Sequence, residues 1–124
     1  MISSSKPRKQ RYYRFNAPLN ARQKFLHVHI SKELKQSLGI KVRALQIRKG
    51  DTVKVMSGKF KGKTGKVNSV SLSTNRVRIE GVTRKNSKGK ETMIPIYSSN
   101  LYITDLDLTD KTRKEKVDKL KAKV

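Results

Sequence analysis

Between Lys49 and Thr104 the apolar side chains fall on alternate positions in short runs, each closed by a turn-forming stretch. A period of two puts every second side chain on one side of an extended chain, so such runs fold as half-buried strands. DTVKVM sets Val53 and Val55 on one face, and RVRIEGV does the same with Val77 and Ile79. TGKVNSVSL also alternates, but its phase slips between Val67 and Val70, which predicts a bulge. ETMIPIY carries Pro95, which has no ladder N–H and belongs at an edge or a bend, and NLYIT completes the set. The first two runs are joined by the glycine-lysine stretch GKFKGK and the next two by Ser73-Thr74-Asn75. Five short strands within about fifty-five residues predict a mainly β chain, folded as a small five-stranded SH3-like barrel.

The flanks obey other rules. KPRKQRYYRFNAPL has no sustained period and reads as an extended arm. Asn16 followed by Pro18 is a candidate helix start. FLHVHI alternates like a strand, and SKELKQSLG is a short helix with Ser31 as cap, Glu33 in the first turn and Gly39 as terminator. TDKTRKEKVDKLKAKV predicts a surface helix with a thin stripe of Val117, Leu120 and Val124. The organisation expected is a basic extension with short helices over 1–48, the barrel over 49–104 and a helical tail over 105–124.

Charge decides what such a chain can meet. Thirty-one Lys and Arg stand against nine Asp and Glu, a net charge of +22, and only 34% of residues are apolar. A chain this basic repels itself and calls for an anionic partner: RNA, DNA or an acidic membrane surface. Residues 1–48 carry +11 and residues 49–97 carry +9, whereas residues 98–124 carry +2. With no cysteine there is no disulfide, thiolate zinc site or Cys nucleophile. MISSSKPRKQ lacks the apolar core of a secretory signal, and no run approaches membrane-spanning length, so no membrane insertion is expected. The acid-free stretch 1–32 resembles a mitochondrial presequence in charge. Its Tyr12, Tyr13 and Phe15 lie between arginines instead of forming a leucine face, which favours a nucleic-acid-binding arm.

GKFKGKT invites comparison with a nucleotide-binding P-loop. Gly58 and Gly62 enclose three residues where four are needed, and VNSVSLS after it reads as a strand where the phosphate cradle needs a helix. Lys59, Lys61, Lys63 and Lys66 instead suit a loop that faces phosphates. His27 and His29 lack a third metal ligand. Asp105, Asp107 and Asp110 begin like a calcium loop, but Asp110 stands where Gly is required and Lys116 where the bidentate Glu belongs, so a solvated acidic entrance to the tail helix suffices. Nothing resembles a hydrolytic triad. The chain reads as a non-enzyme with no cofactor, no metal and no small-molecule substrate. In RKQRYYRFN, arginine forks bind phosphate and the aromatics stack on unpaired bases. TRKNSKGK, between the third and fourth strands of the barrel, adds a basic loop.

The run RKGDTVKVMSGKFKGKTGKVNSV followed by RVRIEGV resembles a KOW motif: Lys-Gly-Asp, alternating valines, a glycine-lysine turn, Gly-Lys-Val. With KPRKQRYYRFNAPL before it and the TRK loop after it, the stretch from about Lys6 to Asp110 resembles the L-twenty-four type of large-subunit ribosomal protein. The form is the archaeal and eukaryotic one, called twenty-six in eukaryotes, and the short tail looks archaeal. One departure is Tyr97-Ser98-Ser99, where a histidine is expected near the first position. The resemblance implies a cytoplasmic, ribosome-bound protein that contacts large-subunit rRNA directly, acts early in subunit assembly and lies near the peptide exit tunnel beside other large-subunit proteins. The implied rRNA contacts are Lys6, Arg8, Lys9, Arg11, Tyr12, Tyr13 and Arg14 in the arm, Lys49 before the first barrel strand, Lys59, Lys61, Lys63 and Lys66 around the turn, and Arg84, Lys85, Lys88 and Lys90 in the later loop. The alternative is a KOW-type transcription elongation or RNA-chaperone module. An elongation factor of that kind carries a separate α/β domain before the KOW, and 48 residues at +11 make a poor one.

Overall fold

The computed structural model describes residues 2–122. Helix α1 (Pro7–Asn16), the short α2 (Leu19–Arg22) and a 3-10 turn (Gln23–Leu26) lead into β1 (His27–Ile30), α3 (Lys32–Leu38) and β2 (Ala44–Gln46). Then follow β3 (Thr52–Val55), β4 (Thr64–Ser71), β5 (Arg76–Lys85), β6 (Glu91–Tyr97), a 3-10 turn (Ser98–Asn100), β7 (Leu101–Asp105) and α4 (Lys111–Ala122).

The five runs read from alternation are β3 to β7. Val53, Val55, Val77, Ile79, Leu101 and Ile103 are all buried on one side, as the period requires. The phase slip in β4 is a register shift between Val67 and Ser69 in its pairing with β5. A second shift in β5, around Gly81 with its positive φ of 79°, returns Val82 to the core. Pro95 lies in β6, which is an edge strand. Gly65 marks a close approach: a Cβ there would collide with the Glu80 carbonyl oxygen and stand 2.8 Å from Ile79 Cγ2.

The ladders describe one open mixed sheet of seven strands, in the order β2-β1-β7-β3-β4-β5-β6, rather than a closed ring of five. The two added strands come from the extension. FLHVHI supplies β1, which runs parallel to β7 through His29↔Tyr102 and Ile30↔Ile103 and antiparallel to β2. Leu26, Val28, Ile30, Leu34, Ile40 and Ile47 consequently share one core cluster with the valines of β3 to β5.

The arm is helical, not extended. Pro7 fits the first turn, PRKQRYYRFN holds good helix formers and no β-branched residue, and Pro18 bars continuation. Because α1 buries no residue, its sequence has no apolar period by which it could be recognised. Asn16 ends α1 instead of capping the next helix, and its Nδ2 donates to the Tyr12 carbonyl at 3.1 Å. Around α3 the signals hold: Ser31 Oγ accepts from Leu34 N at 3.2 Å, and Gly39 turns left-handed at φ 63°.

Helix α4 carries a buried Val117 and a partly buried Leu120; Val124 lies outside the described residues. One turn before Val117, on the same face, Arg113 is 7% exposed and grips Asp51, which is fully buried. The guanidinium donates to both Asp51 oxygens, at 2.5 and 2.7 Å, and also to the carbonyls of Asp107 and Gln46. Asp51 further accepts from the backbone N–H groups of Arg48 (2.9 Å) and Asp107 (3.0 Å). The Lys-Gly-Asp turn, the end of β2 and the tail helix are thus tied at one point.

Candidate nucleic-acid interface

The β3–β4 connection is a glycine-bearing turn. Gly58 and Gly62 both sit at φ 88°, Gly62 N donates to the Val55 carbonyl at 2.8 Å, and Lys61 N donates to that of Gly58 at 3.1 Å. Chain leaving the turn enters β4 at Thr64, so the lysines face no helix N-terminus and the triphosphate cradle is absent from this turn. Phe60 packs against the core and roots the turn, and Lys63 Nζ lies 5.3 Å from its ring centroid.

The antiparallel ladders place the basic segments. β4 starts where β5 ends, so the turn bearing Lys59, Lys61 and Lys63 and the β5–β6 hairpin bearing Arg84, Lys85, Lys88 and Lys90 lie at the same end of the sheet. Lys63 Nζ, 3.4 Å from the Gly81 carbonyl, ties the turn to the middle of β5. Gly89, at φ 75°, closes the hairpin tip. Lys66 sits further along β4 opposite Thr52. Lys49 is set apart: it precedes β3, at the end of that strand away from the turn, beside a groove of about 500 Å³ shared with Gln23, Asn68 and Leu72.

In the arm, helical spacing sorts the candidates. Arg8, Arg11, Tyr12 and Phe15 recur at three- and four-residue intervals and share a face. Tyr12 is 72% and Phe15 80% exposed. Tyr13 and Arg14 do different work: Tyr13 meets the Phe25 ring edge-on at 6.2 Å, and the Arg14 guanidinium lies 5.3 Å from the same ring. Arg22 completes the anchor by donating to the carbonyls of Phe15 and Ala17. Lys6 and Lys9 are exposed.

Three of the nine acids are engaged in ion pairs away from the candidate residues. Among the described residues the ion pairs are Asp51 with Arg113, Asp110 with Arg48 and Asp118 with Lys121. None involves a candidate residue; at the sheet end only Glu80 of β5 and Glu91, which stands opposite Lys85 in the β5–β6 ladder, offset the bases, and α1 carries no acid. Asp110 also accepts from the Thr112 N–H and hydroxyl at the start of α4, and these bonds with that from Arg48 hold its carboxyl below the usual value. Asp107 is lowered chiefly by the Thr109 backbone and hydroxyl donors. Arg113 was not legible as the partner of Asp51. An acid opening a strand in so basic a chain asks for a cation, but nothing local says which of thirty-one.

The histidines hold no metal set. His29 packs against Tyr102 with ring centroids 5.8 Å apart, and among the described residues no three His, Cys, Asp or Glu side chains converge. No described helix is long and apolar enough to cross a membrane.

Residues 4–120 match the family described as ribosomal proteins L26 eukaryotic, L-twenty-four-P archaeal. The chain is 43% identical over 119 residues to the large ribosomal subunit protein uL24 of Pyrobaculum islandicum, covering 96% of this chain and 95% of that one. It is 44% identical over 116 residues to uL24 of Methanosarcina barkeri, with 94% and 98% covered. Against uL24 of Korarchaeum cryptofilum it is 41% identical over 123 residues, with 99% and 92% covered. A turn of lysines after a Lys-Gly-Asp strand entrance, an exposed arginine-aromatic helix and a match over nearly the whole length lead to one statement: this chain belongs to the ribosomal protein family called L26 in eukaryotes and L-twenty-four-P in archaea.

Proposed function

We propose that this protein is a structural component of the large ribosomal subunit that binds large-subunit rRNA directly. The observation that carries the reading is the convergence of two lysine- and arginine-bearing hairpins at one end of the sheet, with no carboxylate in ion-pair contact with their bases among the described residues. Exposed cations held on short rigid turns suit the closely spaced phosphates of a folded RNA. Helix α1 adds Arg8, Arg11, Tyr12 and Phe15 as a face that pairs phosphate contacts with stacking on unpaired bases. Lys6, Lys9, Lys49 and Lys66 extend the contact surface.

Within the sheet, β3 to β7 serve as the KOW unit of residues 49–104. Support comes from a meander β3-β4-β5-β6 followed, after a 3-10 turn, by β7, which returns to pair with β3, the strand order of a five-stranded SH3-like barrel. Residues 1–48 and 105–124 act as extensions on that unit. Early entry into subunit assembly, a place near the peptide exit tunnel, neighbouring large-subunit proteins and a cytoplasmic location follow from the family. The role is non-catalytic, and the polyanion is the ligand.

Sucrose-gradient sedimentation of the endogenous protein tests this. It should travel with the large subunit and remain there through a moderate salt wash. Recovery as free protein, or with RNA polymerase, would overturn the ribosomal reading in favour of a transcription module.

A further inference from the structure

The outer face of β4, β5 and β6 carries a cluster that neither the turn nor the arm includes. Register pairs Ser71 with Arg76 and Arg76 with Tyr97 in one row, and Ser69 with Arg78 and Arg78 with Pro95 in the next. Arg76 and Arg78 flank the buried Val77, so both point away from the core. Together these six residues border a groove of about 350 Å³, except for Tyr97, which adjoins it through Arg76. That volume falls in the range of small-molecule sites.

Two features mark the face as unfinished. The Arg76 guanidinium lies 4.6 Å from the Tyr97 ring centroid and donates to the Tyr97 hydroxyl at 2.8 Å, yet its Nε is buried without a hydrogen-bond partner. The neighbouring Asn75 Oδ1, on a residue held at φ 53°, is also buried without a partner. Buried polar atoms are almost always satisfied, so an open donor on Arg76, which lines the groove, with a second open atom one residue before it, marks a face that a polar ligand completes. Tyr97 is half exposed, and neither arginine has a carboxylate partner among the described residues. A planar ring presented beside two unneutralised guanidinium groups suits a flat base attached to a phosphate better than a bare anion.

We propose that this face is a subsite for one unpaired nucleotide of RNA, with its base stacked on Tyr97 and Arg76 and its phosphate held by Arg78 and the Ser69 hydroxyl. The subsite rests on the rRNA-binding reading. It lies toward the start of β5, whereas the lysine turn adjoins the end of that strand, so an RNA that meets both must pass along the sheet.

The test uses the full chain and two probes, transcribed large-subunit rRNA and a fully paired RNA duplex. Tyr97→Ala should weaken rRNA binding by roughly 5- to 100-fold, the range for removing one stacked base, and leave duplex binding unchanged. Tyr97→Phe keeps the ring and should bind rRNA as the parent does. Arg78→Gln should reduce the slope of log affinity against log salt by about 0.7–0.9, the share of a single phosphate. Circular dichroism melts should show all three variants folded, Arg78 making no side-chain bond to the described protein. If Tyr97→Ala and Arg78→Gln both bind rRNA with parental affinity and slope while Lys59, Lys61 and Lys63 variants are weakened, the face is a cross-strand pair only and the subsite is refuted, with the rRNA reading intact. A parent protein that fails to bind rRNA overturns both.

Discussion

Replacing Arg113 by Met should damage this fold more than the removal of any exposed charge. The pair with Asp51 is dry, 7% and 0% exposed, so the attraction is little screened by water. Arg113→Met removes both guanidinium bonds to Asp51 and leaves the carboxylate with two backbone donors, from Arg48 and Asp107. It also strips two carbonyls, Asp107 and Gln46, of their side-chain donor. Breaking a buried pair from one side costs about 3–5 kcal/mol, because the other charge stays buried and unmatched. Total stability for a domain is about 5–15 kcal/mol, so the variant sits close to the edge of folding. For a chain of this length the loss corresponds to a midpoint drop of roughly 10–20 °C in a thermal melt. The double variant Asp51→Asn with Arg113→Met keeps an acceptor for one backbone N–H and leaves no buried charge. It should therefore lose less than the two single variants added together, with a coupling of about 1–3 kcal/mol in urea titrations. An Arg113→Met cost below about 1 kcal/mol, the size of an exposed ion pair, would refute the reasoning and mean that α4 does not dock here.

Replacing Lys59, Lys61 and Lys63 by Gln should leave the melt nearly unchanged, since all three are exposed, and reduce the salt slope of rRNA binding by about 0.7–0.9 for each phosphate no longer neutralised; an unchanged slope would mean the turn faces away from RNA. Gly65→Ala should cost about 1–3 kcal/mol by urea titration, because its Cβ meets the Glu80 carbonyl, a backbone atom that can move only with the strand. In the free protein the amides from Arg8 to Asn16 should exchange within the dead time of a hydrogen-exchange experiment, since a ten-residue helix that buries nothing is marginal in water, and they should gain protection on rRNA. Asp107 and Asp110 have folded-state pKa values lowered from 3.8, so their stabilising bonds are complete above that value and are lost as pH falls through the lower folded values; the melt of Asp110→Asn should converge on that of the parent at the acid end of a pH series and lie below it at neutral pH.

What the sequence made legible follows from how local each cause is. Val53 with Val55 and Val77 with Ile79 declare a strand face within four residues, and the Val67-to-Val70 slip declares its own bulge. Ser31 and Gly39 bracket α3 through bonds that span one turn. Helix α1 escaped because period reports burial, and α1 buries nothing; only Pro7 and the want of β-branched residues spoke for it. The enlargement of the sheet escaped for the opposite reason. FLHVHI announces a strand, but its parallel partner β7 lies more than seventy residues on, and alternation carries no address for a partner.

The candidate site divides along the same line. Thirty-one bases against nine acids predict a polyanion at once, but the count alone cannot say which bases are free to meet it. That depends on where the acids go. Among the described residues, two ion pairs, Asp51 with Arg113 and Asp110 with Arg48, hold together the Lys-Gly-Asp turn and the tail, while Asp118 takes Lys121 within α4. The first two join residues sixty-two positions apart, so they place Asp51 and Asp110 at the tail's docking point, and only Glu80 and Glu91 remain in the β5–β6 hairpin. The lysine turn and the outer face of α1 carry no acid, and the β5–β6 hairpin keeps a basic excess over Glu80 and Glu91. Acid placement therefore selects the interface: moving a carboxylate to the turn, as in Thr64→Asp, should weaken rRNA binding without removing a single base.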